Sequence, residues 1–362
     1  MLANLCWMVP GGVGGSEEYA TRLLGTVAEA DGSEIGLDVE VASMAGVAES
    51  HPELSGLAWR ELPVSARVRA VRVLAESSWL ALRSRDHDLV HHFGGRIPAV
   101  RGAPAVVTIH DIQPLDLPAN FSRLKSAYLA RALPRSVASA RLVVTPSDWV
   151  AGRLIERFGL DESDIRVVPS TYTVPAGTGD GPSRRDGPLI VYPAMTHPHK
   201  DHRTLIEAFG RLRTRFTDAR LVLTGGRGRV HDEVSRQIAE TPGVSHRGRV
   251  DPGELANLIE HADVLAFPSR YEGFGLPVLE AMSVGTPVVA AEAAALPEVL
   301  GGGGVLVEPG AVADWAEALA AVLEGGPADA VVAAAADRVA YYAPARARER
   351  LVAAWADAIE RG

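Results

Sequence analysis

Short apolar runs alternate with stretches of helical spacing along the whole 362-residue chain. Runs such as Leu142–Thr145 (LVVT) and Asp263–Pro268 (DVLAFP) are almost continuously apolar, which is the signature of parallel strands buried on both faces. In the first half the runs predict strands at Leu2–Val9, Val39–Ser43, Leu89–His92, Val106–Ile109, Leu142–Thr145 and Ile165–Val168. Pro175 to Pro188 (PAGTGDGPSRRDGP) then breaks the pattern with glycine, proline and charge, as a linker does. The second half restarts at Leu189–Tyr192, Arg220–Leu223, Val244–Arg247, Val264–Phe267, Val288–Ala290 and Val305–Val307. Strands alternating with helices predict an α/β chain of two doubly wound, Rossmann-like domains facing across a cleft. Their expected bounds are 1–180 and 187–342, with a separate last helix in 343–362.

Composition narrows the class without naming an activity. With 47% hydrophobic and 22% charged residues the chain is globular, and its length allows each of two domains its own core. No run of 18 apolar residues is present, so no spanning helix is expected. Met1–Pro10 is apolar but short, lacks a basic start and runs into a glycine loop, so it reads as a first strand rather than a secretory signal. The single cysteine, Cys6, excludes an internal disulfide and fits a cytoplasmic location. A net charge of −9 argues against general nucleic-acid binding. The charge is uneven, however. Between Arg60 and Arg141 thirteen Arg and Lys stand against six Asp and Glu. There the amphipathic ARVRAVRVLAESSWLAL would either form an ordinary surface helix or rest peripherally on anionic lipid, the inner membrane face included, or hold a lipid-phosphate acceptor.

The densest chemistry lies at Arg270–Ala290, RYEGFGLPVLEAMSVGTPVVA. Pro277 suits the first turn of a helix and Gly285 its end. The backbone N–H groups of Gly273, Phe274, Gly275 and Leu276 would then gather at a helix N-terminus beyond a buried strand, a position that favours an anion. Glu280, one to two turns into the helix, can accept two hydrogen bonds from a vicinal diol such as ribose. Glu272, before it, can take sugar hydroxyls. Either glutamate alone reads as a solvated helix acid; the agreement of spacing, glycines and proline gives the stretch its meaning.

This string resembles the Glu-x7-Glu motif of retaining glycosyltransferases with a GT-B fold, specifically the family 4 group. The resemblance extends through PGGVGGSEEY, TIHDIQ, VVTPSDW, PHKDHRTLIEAF and ALPEVLGGGGVLVEP, most of the chain. It implies a carboxyl-terminal domain that binds the nucleotide-sugar donor, and a last helix (Pro344–Arg361) that returns to the amino-terminal, acceptor-side domain. Lys200 would neutralise the diphosphate leaving group, and His110, at a strand's carboxyl end, would hydrogen-bond a donor-sugar hydroxyl. Gly14 and Gly15 would approach the diphosphate or the sugar. Arg249 and Val250 would hold the nucleobase through their backbone. Similar enzymes carry an arginine six positions before the lysine; here that residue is Ala194, so Arg227 or Arg229 would substitute, or the helix dipole would suffice.

Competing readings apply to several of these segments. The loop around Gly12 and Gly14 invites a nicotinamide-cofactor reading, but the third glycine of that spacing is replaced by Glu17. Ser16 would cap the following helix, and Ser147 is a natural cap for the helix after it. Asp111 is expected to orient its loop, and His91 and His92 are assigned no chemistry. His197, His199 and His202 lack the carboxylate or cysteine that would complete a metal site, and no metal or cofactor is expected. The resemblance implies hexosyl transfer from a GDP- or UDP-sugar, mannosyl by preference, to a glycan, lipid-linked or small-molecule hydroxyl. Retention would follow from a front-face displacement, because no carboxylate is an obvious covalent nucleophile. The alternatives are a GT-B sugar-nucleotide epimerase and a catalytically silent nucleotide-sugar binding protein.

Overall fold

The computed structural model describes residues 1–9, 12, 14–30, 35–100, 102–173 and 187–361. These divide into two units, one of Met1–Thr171 with Tyr342–Gly362 and the other of Tyr172–Tyr341. The predicted linker lies outside the described residues except for its last two, Gly187 and Pro188.

In the first unit the strands are β1 (Leu2–Asn4), β2 (Glu40–Ala45), β3 (Ala58–Ser65), β4 (Val90–His92), β5 (Ala105–Thr108), β6 (Leu142–Thr145) and β7 (Ile165–Val167). They form one parallel sheet in the order β3-β2-β1-β4-β5-β6-β7. The second unit holds β8 (Leu189–Pro193), β9 (Arg220–Thr224), β10 (Val244–His246), β11 (Val264–Phe267), β12 (Val288–Ala291) and β13 (Val305–Val307). Its parallel order is β10-β9-β8-β11-β12-β13. In each sheet the order reverses direction once, between β1 and β4 and between β8 and β11. The crevice at the carboxyl ends of such a strand pair is where open α/β sheets receive ligands.

Twelve of the expected strands form, and β3 is the addition. Its residues, AWRELPVS, are mostly exposed, so it carries no apolar run for sequence reading to find. As an edge strand it tolerates Pro63 and charge, and Arg60 Nε reaches Glu40 of β2 at 2.9 Å. The first strand is also shorter than its apolar run. Asn4 Oδ1 accepts from the Cys6 backbone N–H at 2.9 Å and Met8 N–H bonds back to the Leu5 carbonyl, which turns the chain out of the sheet.

The closing helix, Pro344–Glu360, belongs to the first unit and buries Ala347, Leu351, Ala354, Trp355 and Ala358 in the core with Leu23, Leu24 and Phe93. Trp355 Nε1 donates to His91 Nδ1 at 2.9 Å, and His91 Nε2 lies 2.8 Å from Thr108 Oγ1. The tryptophan donation fixes the His91 tautomer, with the proton on Nε2. Both His91 and Trp355 are fully buried, so this histidine is a strut of the fold. Among the described residues no single helix is long and apolar enough to cross a membrane.

Candidate active site

In the second unit the loops after β8 and β11 come together. After β8 the chain makes a short turn, Pro198–Lys200, and enters the helix His202–Leu212 through Asp201, whose φ is 49°. A left-handed aspartate costs on the order of 1 kcal/mol or more unless its surroundings hold it. Here Thr204 Oγ1 donates to Asp201 Oδ2 at 2.8 Å and Arg270 Nε donates to the same oxygen at 2.7 Å. The turn is tied on its other side as well, since Tyr192 OH donates to the Lys200 carbonyl at 2.6 Å and Arg270 N–H to the His199 carbonyl at 2.7 Å. The backbone of Lys200 is therefore fixed, and its ammonium lies 2.5 Å from Glu272 Oε1. Both side chains are partly buried, at 20% and 14% exposure, so the pair is screened less than a fully exposed one. Two residues assigned separate roles by sequence are thus ion-paired to each other.

Beyond Glu272, Gly275 has φ 107° and stands at the N-cap of the helix Leu276–Ser283, with Pro277 in its first turn. The φ of Gly275 requires glycine, and a Cβ there would also sit 2.8 Å from Leu296 Cδ2, displacing that side-chain tip. Phe274 is buried, Leu276 is half-buried, and Glu280 is half-buried one turn into the helix.

Position 194 shows what became of the missing arginine's place. Ala194 is buried, its N–H bonded to the Thr224 carbonyl, and a Cβ at Gly225 (φ 122°) would fall 2.5 Å from its carbonyl carbon. A Cβ at Gly228 would likewise fall 2.3 Å from the Thr196 carbonyl oxygen. These glycines press the Gly225–Val230 loop onto the 194–197 segment. Arg227 is exposed and its Nη2 donates to Asp232 at 3.1 Å; Arg229 is exposed, its backbone N–H 3.5 Å from His197 Nδ1. Arg249 and Val250 follow Gly248, whose carbonyl accepts from Gly225 N–H at 2.7 Å. His197 and His199 stack at 5.8 Å, and among the described residues no three His, Cys, Asp or Glu side chains gather as metal ligands.

In the first unit His110 ends the segment after β5. Its Nε2 lies 2.7 Å from the Phe93 carbonyl, and its ring meets Tyr19 edge-on at 5.0 Å. A carbonyl only accepts, so Nε2 carries the proton and Nδ1 is left as an acceptor. Burial lowers the His110 pKa to about 4, keeping the ring neutral at pH 7. Gly14 has φ 72° at the N-cap of the helix Gly15–Ala28, while a Cβ at Gly15 would meet nothing within 4 Å. Ser147 caps the helix Asp148–Phe158 by accepting from Val150 N–H at 3.2 Å. Asp111 Oδ1 accepts from Gln113 N–H at 2.8 Å and so orders its loop.

A cavity of about 400 Å³ opens beside His110, lined among others by Trp7, Arg72, Glu76, Arg96, Gln113, Lys125 and Tyr128. Arg72 and Glu76 fall in the ARVRAVRVLAESSWLAL stretch that the sequence offered as a lipid or lipid-phosphate contact; the other five were not singled out. The seven come from five separate segments, and for those five the only signal was the basic excess between Arg60 and Arg141. Tyr192, Asp201 and Arg270 were missed for a similar reason, since they act by holding other residues.

Comparison with known proteins agrees with this architecture. Residues 13–171 match the family described as Glycosyltransferase Family 4, and residues 187–325 match Glycosyl transferases group 1. The chain belongs to the group 1, family 4 glycosyltransferases. Among its relatives, O-antigen chain mannosyltransferase B of Escherichia coli is 31% identical over 243 residues, 62% of this chain and 63% of that protein. The D-inositol 3-phosphate glycosyltransferase of Actinosynnema mirum is 32% identical over 61% of this chain and 58% of its own. The alignments therefore span about three-fifths of the length of these relatives. Anabaena HepE, solved in complex with UDP and glucose, superposes with a TM-score of 0.74 at 19% identity, covering 98% of both chains. A Rickettsia africae glycosyltransferase gives 0.72 at 18%, covering all of this chain and 98% of its own. The fold is GT-B.

Proposed function

We propose that this family 4 glycosyltransferase moves a hexose from a nucleotide-diphospho-sugar to a hydroxyl acceptor with retention. The observation that carries the reading is the Lys200–Glu272 pair at the reversal point of the second sheet, beside the helix terminus at Gly275. The pair presents a cation suited to a diphosphate and a carboxylate suited to sugar hydroxyls. Glu280 would take the ribose diol. The backbone of Gly273, Phe274 and Leu276 would meet the phosphates, and that of Arg249 and Val250 the base. Among the described residues nothing lies within 4 Å of a Cβ at Gly15, which leaves room there for the donor.

In the reaction the bond between the anomeric carbon and the phosphate oxygen breaks while the acceptor oxygen bonds to the same face. The acceptor's proton passes to the departing phosphate oxygen. Lys200 and the helix N-terminus stabilise the charge that develops on the leaving group, where fixed dipoles act most strongly. His110, neutral and with Nδ1 as acceptor, would receive a hydrogen bond from a sugar hydroxyl. Two O-antigen chain mannosyltransferases among the relatives support a mannosyl donor, and HepE, crystallised with UDP, keeps UDP-sugars in view.

The test is calorimetric titration with UDP, GDP, ADP and dTDP in the presence of chelator. Micromolar binding of one, abolished in Lys200→Ala, identifies the donor nucleotide. No binding of any of them sinks the assignment.

A further inference from the structure

The loops after β8 and β11 are tied to each other by side chains and by backbone. Lys200 Nζ lies 2.5 Å from Glu272 Oε1, and Arg270 Nε donates to Asp201 Oδ2 at 2.7 Å. Arg270 N–H donates to the His199 carbonyl at 2.7 Å, and Ser269 Oγ reaches that carbonyl at 3.4 Å. An anion bound at the Lys200 ammonium must displace or share the Glu272 carboxylate, so the first tie is the one a ligand loosens. Neither tie from Arg270 uses that ammonium, and both can persist when an anion occupies it.

Asp201 is the residue on which the Arg270 side chain acts. Its φ of 49° brings Cβ against the following carbonyl, a conformation that glycine adopts freely and other residues resist. Its carboxylate is 9% exposed, and Oδ2 accepts from both Arg270 Nε and Thr204 Oγ1. The Thr204 bond is local to the start of the helix His202–Leu212, whereas the Arg270 bond spans 69 positions and comes from the opposite loop. The guanidinium is itself seated, since a Cβ at Gly310 would fall 2.9 Å from its Nη2. A swing of Asp201 to negative φ would rotate the backbone that follows Lys200 and carry the ammonium away from Glu272. As a half-exposed ion pair, at 49% for Arg270, the bond adds little to stability, so its effect falls on geometry.

We propose that Arg270 is a positioning residue of the transferase reaction, holding Asp201 in the left-handed turn that presents Lys200 to the donor diphosphate once Glu272 has released it. The inference rests on the function proposed above and gives the guanidinium no contact with the donor. A residue that adopts the left-handed turn unaided should therefore make Arg270 dispensable.

The full chain is titrated calorimetrically with UDP, GDP, ADP and dTDP. The nucleotide that binds is then compared across Arg270→Ala, Asp201→Gly and the double variant, each checked for folding by circular dichroism. Arg270→Ala is expected to weaken binding at least about fivefold, the scale of a left-handed residue's disadvantage. In the Asp201→Gly background the same substitution should change affinity less than about twofold. Arg270→Lys, which keeps a charged donor within reach of Asp201, should recover most of the loss. A merely structural role, or direct contact with the donor, predicts the same loss in both backgrounds, and that result overturns the proposal. So does native affinity in Arg270→Ala. Loss of binding in Asp201→Gly alone overturns it as well, because the carboxylate rather than the conformation would then matter. The two readings fail separately: absence of binding to the native protein sinks the transferase assignment, whereas binding indifferent to Arg270 sinks only this inference.

Discussion

Glu272→Gln separates two effects that a single loss of activity would merge. In the unliganded protein the Glu272 carboxylate occupies the Lys200 ammonium at 2.5 Å. At an effective dielectric constant near 20 the gross attraction is about 7 kcal/mol, but desolvation of both groups cancels most of it. A net of about 1 kcal/mol is reasonable for a pair that keeps some exposure. A nucleoside diphosphate must compete with Glu272 for that ammonium. Neutralising the carboxylate while keeping its shape should therefore tighten diphosphate binding, by about fivefold for 1 kcal/mol. The same substitution removes an acceptor for sugar hydroxyls and should lower transfer at least about a hundredfold. The assay is calorimetry with the identified diphosphate, paired with initial rates of transfer. Diphosphate binding that weakens tenfold in Glu272→Gln would refute the competition, and turnover equal to that of the native enzyme would refute the role of Glu272 in the reaction.

Other perturbations test other parts of the structure. Gly275→Ala should cost about 1–3 kcal/mol in urea denaturation, because φ 107° and a 2.8 Å approach to Leu296 must both be relieved; native stability would show the loop free to rearrange. Gly15→Ala, with nothing within 4 Å of the new methyl, should leave stability within about 0.5 kcal/mol yet reduce transfer, and unchanged transfer would remove Gly15 from the donor site. Trp355→Ala empties a fully buried site and orphans His91 Nδ1, so a loss of about 3–5 kcal/mol is expected from denaturation curves. Burial depresses several histidine pKa values, to about 4 for His110, to about 3 for His92, His199 and His202, and well below the usual value for His91. The folded state then binds fewer protons than the unfolded chain, so stability present above about pH 6.5 is lost as pH falls toward 4, by about 2 kcal/mol per histidine at pH 5. His51 has the opposite sign: its pKa is raised by Glu17 and Glu53, and its contribution is lost as pH rises through that value. Denaturation midpoints equal at pH 7 and pH 5 would contradict the histidine assignment.

How legible these features were depended on whether their information was local. Buried parallel strands write themselves as apolar runs, so twelve of thirteen strands could be read, while β3 hid because an exposed edge strand has no such run. The helix after Gly275 was readable from proline at its start and glycine beyond its end, which act within a few residues. Each of Lys200, Glu272 and His110 could be nominated because its motif is contiguous. Their partners could not. That Lys200 would meet Glu272, 72 positions away, follows from the sheet reversal between β8 and β11, which no local pattern encodes. Asp201 and Arg270 lie beside recognised motifs but matter through a bond spanning 69 positions.

The cavity residues are the extreme case, and they show where sequence reading has to stop. Glu76, Arg96 and Lys125 come from a π turn, a loop and a helix, and Asn4, at a strand end behind them, bonds Glu76 across 72 positions. In sequence they left only a regional excess of arginine, equally consistent with an ordinary surface helix. The structure changes the weight of that excess by burying Glu76. A carboxylate taken almost completely out of water is costly unless it is paired, and the fold supplies Arg96 and Asn4 to hold it. Glu76 and Arg96 both line the cavity beside His110. Local motifs therefore nominate contiguous candidates such as Lys200, Glu272 and His110, whereas the lining of the cavity is set by long-range contacts that only the folded chain brings together.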